Sequence, residues 1–165
     1  MKRALTILAV VAAVAVALTG TGVWWLSRSH GPELPQISAY SHGHVVRTGP
    51  FTYCPVLDLN KCLQSNAGAE LPVTADNPVQ LSVSSAIGRA PWWLVRVYED
   101  RDNSTSTFYP ANSRLAVTVP TVDPQRGRLI GLTVQLKTMV QDQDGNQFPF
   151  PHAEWAVNLA WPAHP

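Results

Sequence analysis

Two patterns of apolar residues divide the chain. From Ala4 to Leu26 the sequence runs 23 residues without a charge, broken only by Thr6 and the Thr19-Gly20-Thr21-Gly22 patch. As a helix that run would be about 34 Å long, against a hydrocarbon core of about 30 Å. Further on, the period falls to two. Val79-Gln80-Leu81-Ser82-Val83-Ser84 alternates apolar and polar, as half-buried strands do. Trp93, Val95 and Val97 share one face of the next segment, and Trp92, Leu94, Arg96 and Tyr98 the other. The same alternation recurs at Leu115 to Val119, Leu132 to Leu136 and Trp155 to Trp161.

Turn signals separate these runs: Asp76-Asn77-Pro78, the stretch 101–106, the stretch 120–127 and Asp144-Gly145-Asn146. About seven short strands with no helical stretch predict an all-β domain, an immunoglobulin-like β-sandwich. Asp144-Gly145 predicts a hairpin turn, because glycine accepts the positive φ that a twisted ribbon demands. Pro149 and Pro151 cannot donate to a ladder, which assigns their stretch to a sheet edge or bulge.

The expected organisation is therefore a transmembrane helix at residues 1–26, a flexible tether at 27–44 and a β-sandwich at 45–165. Lys2 and Arg3 precede the apolar run and Trp24-Trp25 close it, at the depth where indoles favour the membrane interface. The basic bias ahead of the run holds the N-terminus in the cytoplasm and sends the rest across the bilayer. A cleaved signal peptide is the alternative, with Ala15-Val16-Ala17 as its small-x-small site and a secreted domain as its product. Leu18-Thr19-Gly20 opens like a lipoprotein box, but Thr21 stands where the acylated cysteine belongs.

Charge narrows the partners. Only 14% of residues are charged, and beyond Leu26 ten basic residues face eleven acidic ones. No clustered positive field exists to neutralise phosphates, so nucleic acid is not an expected partner. The lipid bilayer, through the N-terminal helix, and an envelope protein or ligand are. The two cysteines, Cys54 and Cys62, predict one structural disulfide around a short loop, as an exported chain permits.

Candidate chemistry is sparse. Asp142-Gln143-Asp144-Gly145-Asn146 has the composition of a calcium loop, but aligning Gly145 puts Val140 and Pro151 at ligand positions. His42-Gly43-His44 could chelate copper or zinc, with His152 as a distant third ligand. There is no G-x-S-x-G, S-x-x-K or H-E-x-x-H. Glu99, Asp100 and Asp102 lie among Arg101 and Asn103-Ser104-Thr105, as in a solvated loop. Neither an enzymatic activity nor a cofactor is expected. In Pro91-Trp92-Trp93 one indole must enter the core, since neighbours on a strand face opposite ways. Trp92 with Leu94 and Tyr98 is the candidate exposed interaction patch.

The segments Phe51-Thr52-Tyr53-Cys54 with Cys62, Leu71-Pro72-Val73 and Ala90-Pro91-Trp92-Trp93 through Tyr98 resemble a family of actinobacterial exported proteins. That family is catalogued as a domain of unknown function, and the resemblance spans about His44 to Trp161. It implies an N-terminal export or anchor segment and a cell-envelope setting, and it assigns no catalytic residue. The leading expectation is thus a membrane-anchored extracytoplasmic interaction or structural module. A ligand-binding module, for copper or an envelope glycan or lipid, is the second.

Overall fold

A computed structural model describes residues 2–29, 34–100 and 103–162. The chain divides into two compact units, one ending at Glu33 and one beginning at Leu34.

The first unit is helix α1 (Lys2–Ser29). Its described side chains, residue 7 and residues 11–25, are exposed on every side of the helix. The hydroxyls of Thr19 and Thr21 donate back to the carbonyls of Ala15 and Ala17, each at 2.8 Å, so neither is left open to its surroundings. Residues 11–25 span about 22 Å at the helical rise. Among the described residues no helix is long and apolar enough to cross a membrane.

The second unit contains β1 (Ile37–Ser41), β2 (His44–Thr48), β3 (Thr52–Tyr53), β4 (Leu63–Gln64), β5 (Ala69–Pro72) and β6 (Val79–Val83). A short helix α2 (Ser85–Gly88) follows, then β7 (Trp92–Tyr98), β8 (Thr105–Tyr109), β9 (Ala116–Val119), β10 (Val122–Asp123), β11 (Gly127–Gln141) and β12 (Gln147–Ala160). One sheet has the order β2-β1-β6-β9. The other runs β4-β3-β12-β11-β7-β8, with β5 parallel to β12 and β10 against β11. Period-two side chains from both sheets meet in one core. Ile37, Ala39, Val79, Leu81 and Val119 come from the first sheet, and Trp92, Leu94, Leu132, Val134, Trp155 and Val157 from the second. Each large aliphatic or aromatic side chain removed from water there stabilises by roughly 1.5–3 kcal/mol.

The all-β, two-sheet expectation holds, with finer differences. Twelve strands are present among the described residues instead of about seven. Part of the excess is the two-residue bridging strands β3, β4 and β10, too short to leave a periodic signal, and part is longer strands such as β1 and β2 in the segment read as tether. Helix α2 interrupts what read as continuous strand and turn. The tether expected at 27–44 is displaced by structure: α1 runs to Ser29 and β1 and β2 occupy its second half, while residues 30–33 lie outside the described residues. Ile37 and Ala39 alternate with Ser38 and Tyr40, and both are fully buried, so a five-residue strand hides in a segment dominated by turn-forming residues.

Candidate binding surfaces

Three features stand out as places where something could bind or be held. They are the disulfide loop, a hairpin arm that outruns its sheet, and a groove beneath the β1–β2 turn.

Cys54 and Cys62 form the expected disulfide, with Cα atoms 4.1 Å apart. Its loop is fastened to β12 through His152. The Cys54 amide donates to the His152 carbonyl at 2.7 Å, and His152 Nδ1 lies 3.2 Å from the Cys54 carbonyl. Within the loop Leu57 is fully exposed.

His152 also marks a bulge, because the β11–β12 register shifts between Leu136 and Lys137. Beyond that bulge β11 has lost its other neighbour: β7 pairs with it only from Leu129 to Gln135. Residues 137–151 therefore form a two-stranded arm with the tip Asp142–Asn146. At the tip the Asp142 carboxylate accepts from the Asn146 amide and side chain and from the Asp144 amide. The Asn146 side-chain bond, then its backbone bond, holds that carboxyl below its ordinary range. Gly145 has a φ of 89°, the conformation expected of it. The residues that suggested a calcium loop thus build a hairpin turn. Pro149 and Pro151 lie on the arm, opposite Met139 and Lys137, along an edge with no strand partner among the described residues.

Opposed residues of an antiparallel pair share a face. Thr138 faces Phe150 and Val140 faces Phe148, on the side that carries Leu132, Val134 and Leu136 into the core further back. The arm therefore extends the core face past the point where the other sheet can cover it. Phe148 and Phe150 remain 43% and 42% exposed, and the paired positions of that face, 138, 140, 148 and 150, carry no charge, with Asp142 next along at the tip.

The patch assigned to Trp92, Leu94 and Tyr98 is corrected. All three are buried in the core, Trp92 and Leu94 completely. Alternation separates the two faces of β7 without saying which one the other sheet covers. The half-exposed indole is Trp93. It lies 4.9 Å from the exposed Phe108 ring, with the Lys137 ammonium 5.1 Å from its centroid. Trp92 stacks inward on Tyr109 at 4.3 Å.

The histidines are divided. His42 and Gly43 make the two-residue turn joining β1 to β2, with φ of 44° and 83°. Two successive positive φ values are the signature of a type I′ turn, where Asn, Asp or Gly usually leads. His42 and His44 both line a groove of about 320 Å³ with Pro72, Val73, Thr74, Ala160, Trp161 and Pro162. Trp161 Nε1 donates to the Leu129 carbonyl at 2.9 Å, and the Arg128 guanidinium sits 5.1 Å from its ring centroid. His152 stands nine residues from Trp161 along β12, about 30 Å at strand rise, so it joins no site with His42 and His44. Among the described residues no three His, Cys, Asp or Glu side chains converge as a metal site would require. Glu99 bonds the Arg128 amide and Asp100 accepts from Asn103, while Asp102 lies outside the described residues.

A family model described as "Protein of unknown function (DUF2771)" matches residues 30–160. The chain belongs to the DUF2771 family. This is the family setting that the Cys, Pro and Trp pattern resembled. The uncharacterised proteins Rv0875c of Mycobacterium tuberculosis and Mb0899c of Mycobacterium bovis are each 53% identical to it over 160 residues. Each match covers 96% of this chain and 99% of the relative. No solved structure is significantly similar. For a DUF2771 protein, then, the arm and the groove must be judged on their own chemistry. Neither was legible beforehand. The groove joins residues from 42 to 162, although His42-Gly43 between two alternating runs was a hairpin signal. The arm was foreshadowed by the two prolines at its edge.

Proposed function

We propose that this DUF2771 protein is a membrane-anchored, extracytoplasmic interaction module of a cell envelope that uses the β11–β12 arm to hold an envelope protein. The observation that carries the reading is the arm's uncovered core face, with Val140, Phe148 and Phe150 projecting where no second sheet shields them. An apolar surface held out on a structured hairpin, with Asp142 at its tip, is the kind of feature that recognition uses. The disulfide supports an oxidising compartment. Helix α1 supports an anchor. Val16, Leu18, Val23 and Trp24, whose positions are spread around the helix, are all more than half exposed on it, which leaves apolar side chains on several sides for lipid to cover. Two sheets closing on one core support an immunoglobulin-like assignment for the domain.

The test replaces Phe148 with a photoreactive phenylalanine analogue in the full chain and crosslinks in intact cells. One recurrent envelope partner is expected, and mass spectrometry identifies it. A second photoreactive position at Phe108, on the other face, should not capture it. In the Phe148→Ser/Phe150→Ser background, crosslinking from Val140 should fall to the level at Phe108. Capture that is the same from both faces, or unchanged by the double substitution, removes the arm as a recognition element. Protease protection in spheroplasts, with the domain digested from outside, checks the orientation.

A further inference from the structure

We infer that the groove beneath the β1–β2 turn is a binding site for an amphiphile with an acidic head and a single acyl body. The head lies at His42 and His44, and the chain runs along Pro72, Val73 and Trp161. This site is separate from the arm and does not depend on it.

Five of the eight lining residues, Pro72, Val73, Ala160, Trp161 and Pro162, carry no free polar side-chain group. Trp161 has a single polar atom, and the Leu129 carbonyl already takes it, so its ring can present only carbon to the groove. A sugar needs many hydrogen-bond partners, and this floor cannot supply them. An acyl chain needs none. At about 320 Å³ the space falls at the small end of ligand pockets, enough for one chain.

Polarity is confined to His42, His44 and Thr74. An imidazole carries at least one N–H donor in either protonation state. No carboxylate lines the groove, and the Arg128 guanidinium on the Trp161 ring is paired with Glu99 at 4.0 Å. The imidazole N–H donors of His42 and His44 are therefore what favours an acceptor head, a carboxylate or phosphate, over a cationic one.

His42 supplies an independent argument. Its φ of 44° places a side chain in the left-handed region, where a β-carbon is crowded, at the one turn position that Asn, Asp or Gly fills more cheaply. An imidazole there adds nothing to the turn, whereas it adds a donor at the mouth of the groove.

The test uses the full chain in phosphatidylcholine nanodiscs with three photoreactive probes: diazirine palmitate, its methyl ester and diazirine lysophosphatidic acid. An acidic probe is expected to label peptides containing Pro72–Thr74 or Ala160–Pro162, and the ester to label them about tenfold less, the worth of one charge-assisted hydrogen bond. Labelling by palmitate alone identifies a free carboxylate amphiphile, and labelling by lysophosphatidic acid a lipid headgroup. His42→Gly/His44→Ala, which removes both donors, should cut acid labelling to the ester level while the melting temperature holds, since Gly suits the turn. The comparison of acid with ester on the unaltered chain stands even if that variant unfolds. Equal labelling by acid and ester, labelling confined to residues outside the groove, or labelling by neither acid overturns the proposal.

Discussion

Trp92 and Trp155 are both fully buried, yet their indole nitrogens fare differently. Trp155 Nε1 donates to the Pro35 carbonyl at 2.7 Å, whereas Trp92 Nε1 meets no protein acceptor. Changing either residue to Phe deletes the same atoms. The volume lost is roughly 40 Å³, which at ~24 cal/mol per Å³ gives about 1 kcal/mol, and the lost transfer energy adds about 1 more. At Trp155 the change also breaks a hydrogen bond and leaves the Pro35 carbonyl without its donor, a further cost of about 1–2 kcal/mol. At Trp92 it removes a donor whose unpaired burial costs about 1–3 kcal/mol, which offsets the cavity. A ring also remains to face Tyr109, 4.3 Å away in the native stack. Trp155→Phe should therefore destabilise by about 3 kcal/mol and Trp92→Phe by less than about 1. Urea denaturation of the full chain, followed by near-UV ellipticity in one common buffer, measures both. Equal losses, or a larger loss at Trp92, would refute the claim that the indole N–H decides the outcome.

Cys54→Ser/Cys62→Ser should cost about 2.5 kcal/mol, from chain entropy for a bridge with a sequence separation of 8, and the same denaturation assay reads it. The core should stay folded in that variant, because the loop lies outside the central cluster; loss of methyl shifts at Leu132 or Val157 by NMR would contradict this. Asp142 has a lowered folded-state pKa, caused first by the Asn146 side chain, so its contribution to the tip is present above its ordinary value of 3.8. That contribution disappears as pH falls through the folded value. Amide exchange at Asn146 should accelerate only below that ordinary value, and an onset near neutral pH would refute the assignment. Gly145→Ala, at a φ of 89°, should destabilise the tip by about 1 kcal/mol and raise exchange at Asp142, whose amide donates to the Asn146 carbonyl, as NMR resolves residue by residue.

What the residues disclosed, and what they withheld, follows from the range of each interaction. Val79 to Val83 and Trp155 to Leu159 were legible as strands because each alternates on its own, and the structure buries the apolar set in both. Asp144-Gly145 was legible because turn conformation depends on a few adjacent residues. The disulfide followed from there being two cysteines and no third. The inward face of β7 was not legible. Trp92 and Trp93 are equally apolar, and only pairing across the core settles that Trp92 enters while Trp93 meets Phe108 outside. The groove was hidden for the same reason, since His42 and Trp161 are brought together by pairings that no local window contains. The segment that holds β1 misled differently. Gly, Pro, Ser and His obscured a five-residue alternation whose inward residues, Ile37, Ala39 and Ser41, are all buried, only two of them apolar.

The arm bears on how such a surface avoids indiscriminate association. A hairpin without neighbours exposes backbone donors and acceptors along both edges, and such edges pair readily with other strands. Here β12 carries Pro149 and Pro151, which remove two amides from one edge. The β11 edge begins with Lys137, whose ammonium lies over the Trp93 ring, and the bulge at His152 interrupts the ladder on the β12 side at the base of the arm. These are protections against backbone pairing. They leave Val140, Phe148 and Phe150 uncovered, because prolines and a bulge guard edges and not faces. A surface defended at its edges and open on its apolar face favours partners that dock side chains against it over strands that add to the sheet. That distinction predicts a structural outcome for the crosslinked complex: contacts from the partner should reach the Phe148 and Phe150 rings, while the β11 amides that point away from β12, at Met139 and Gln141, should remain exchangeable. Protection of those amides on binding would mean that the partner augments the sheet instead.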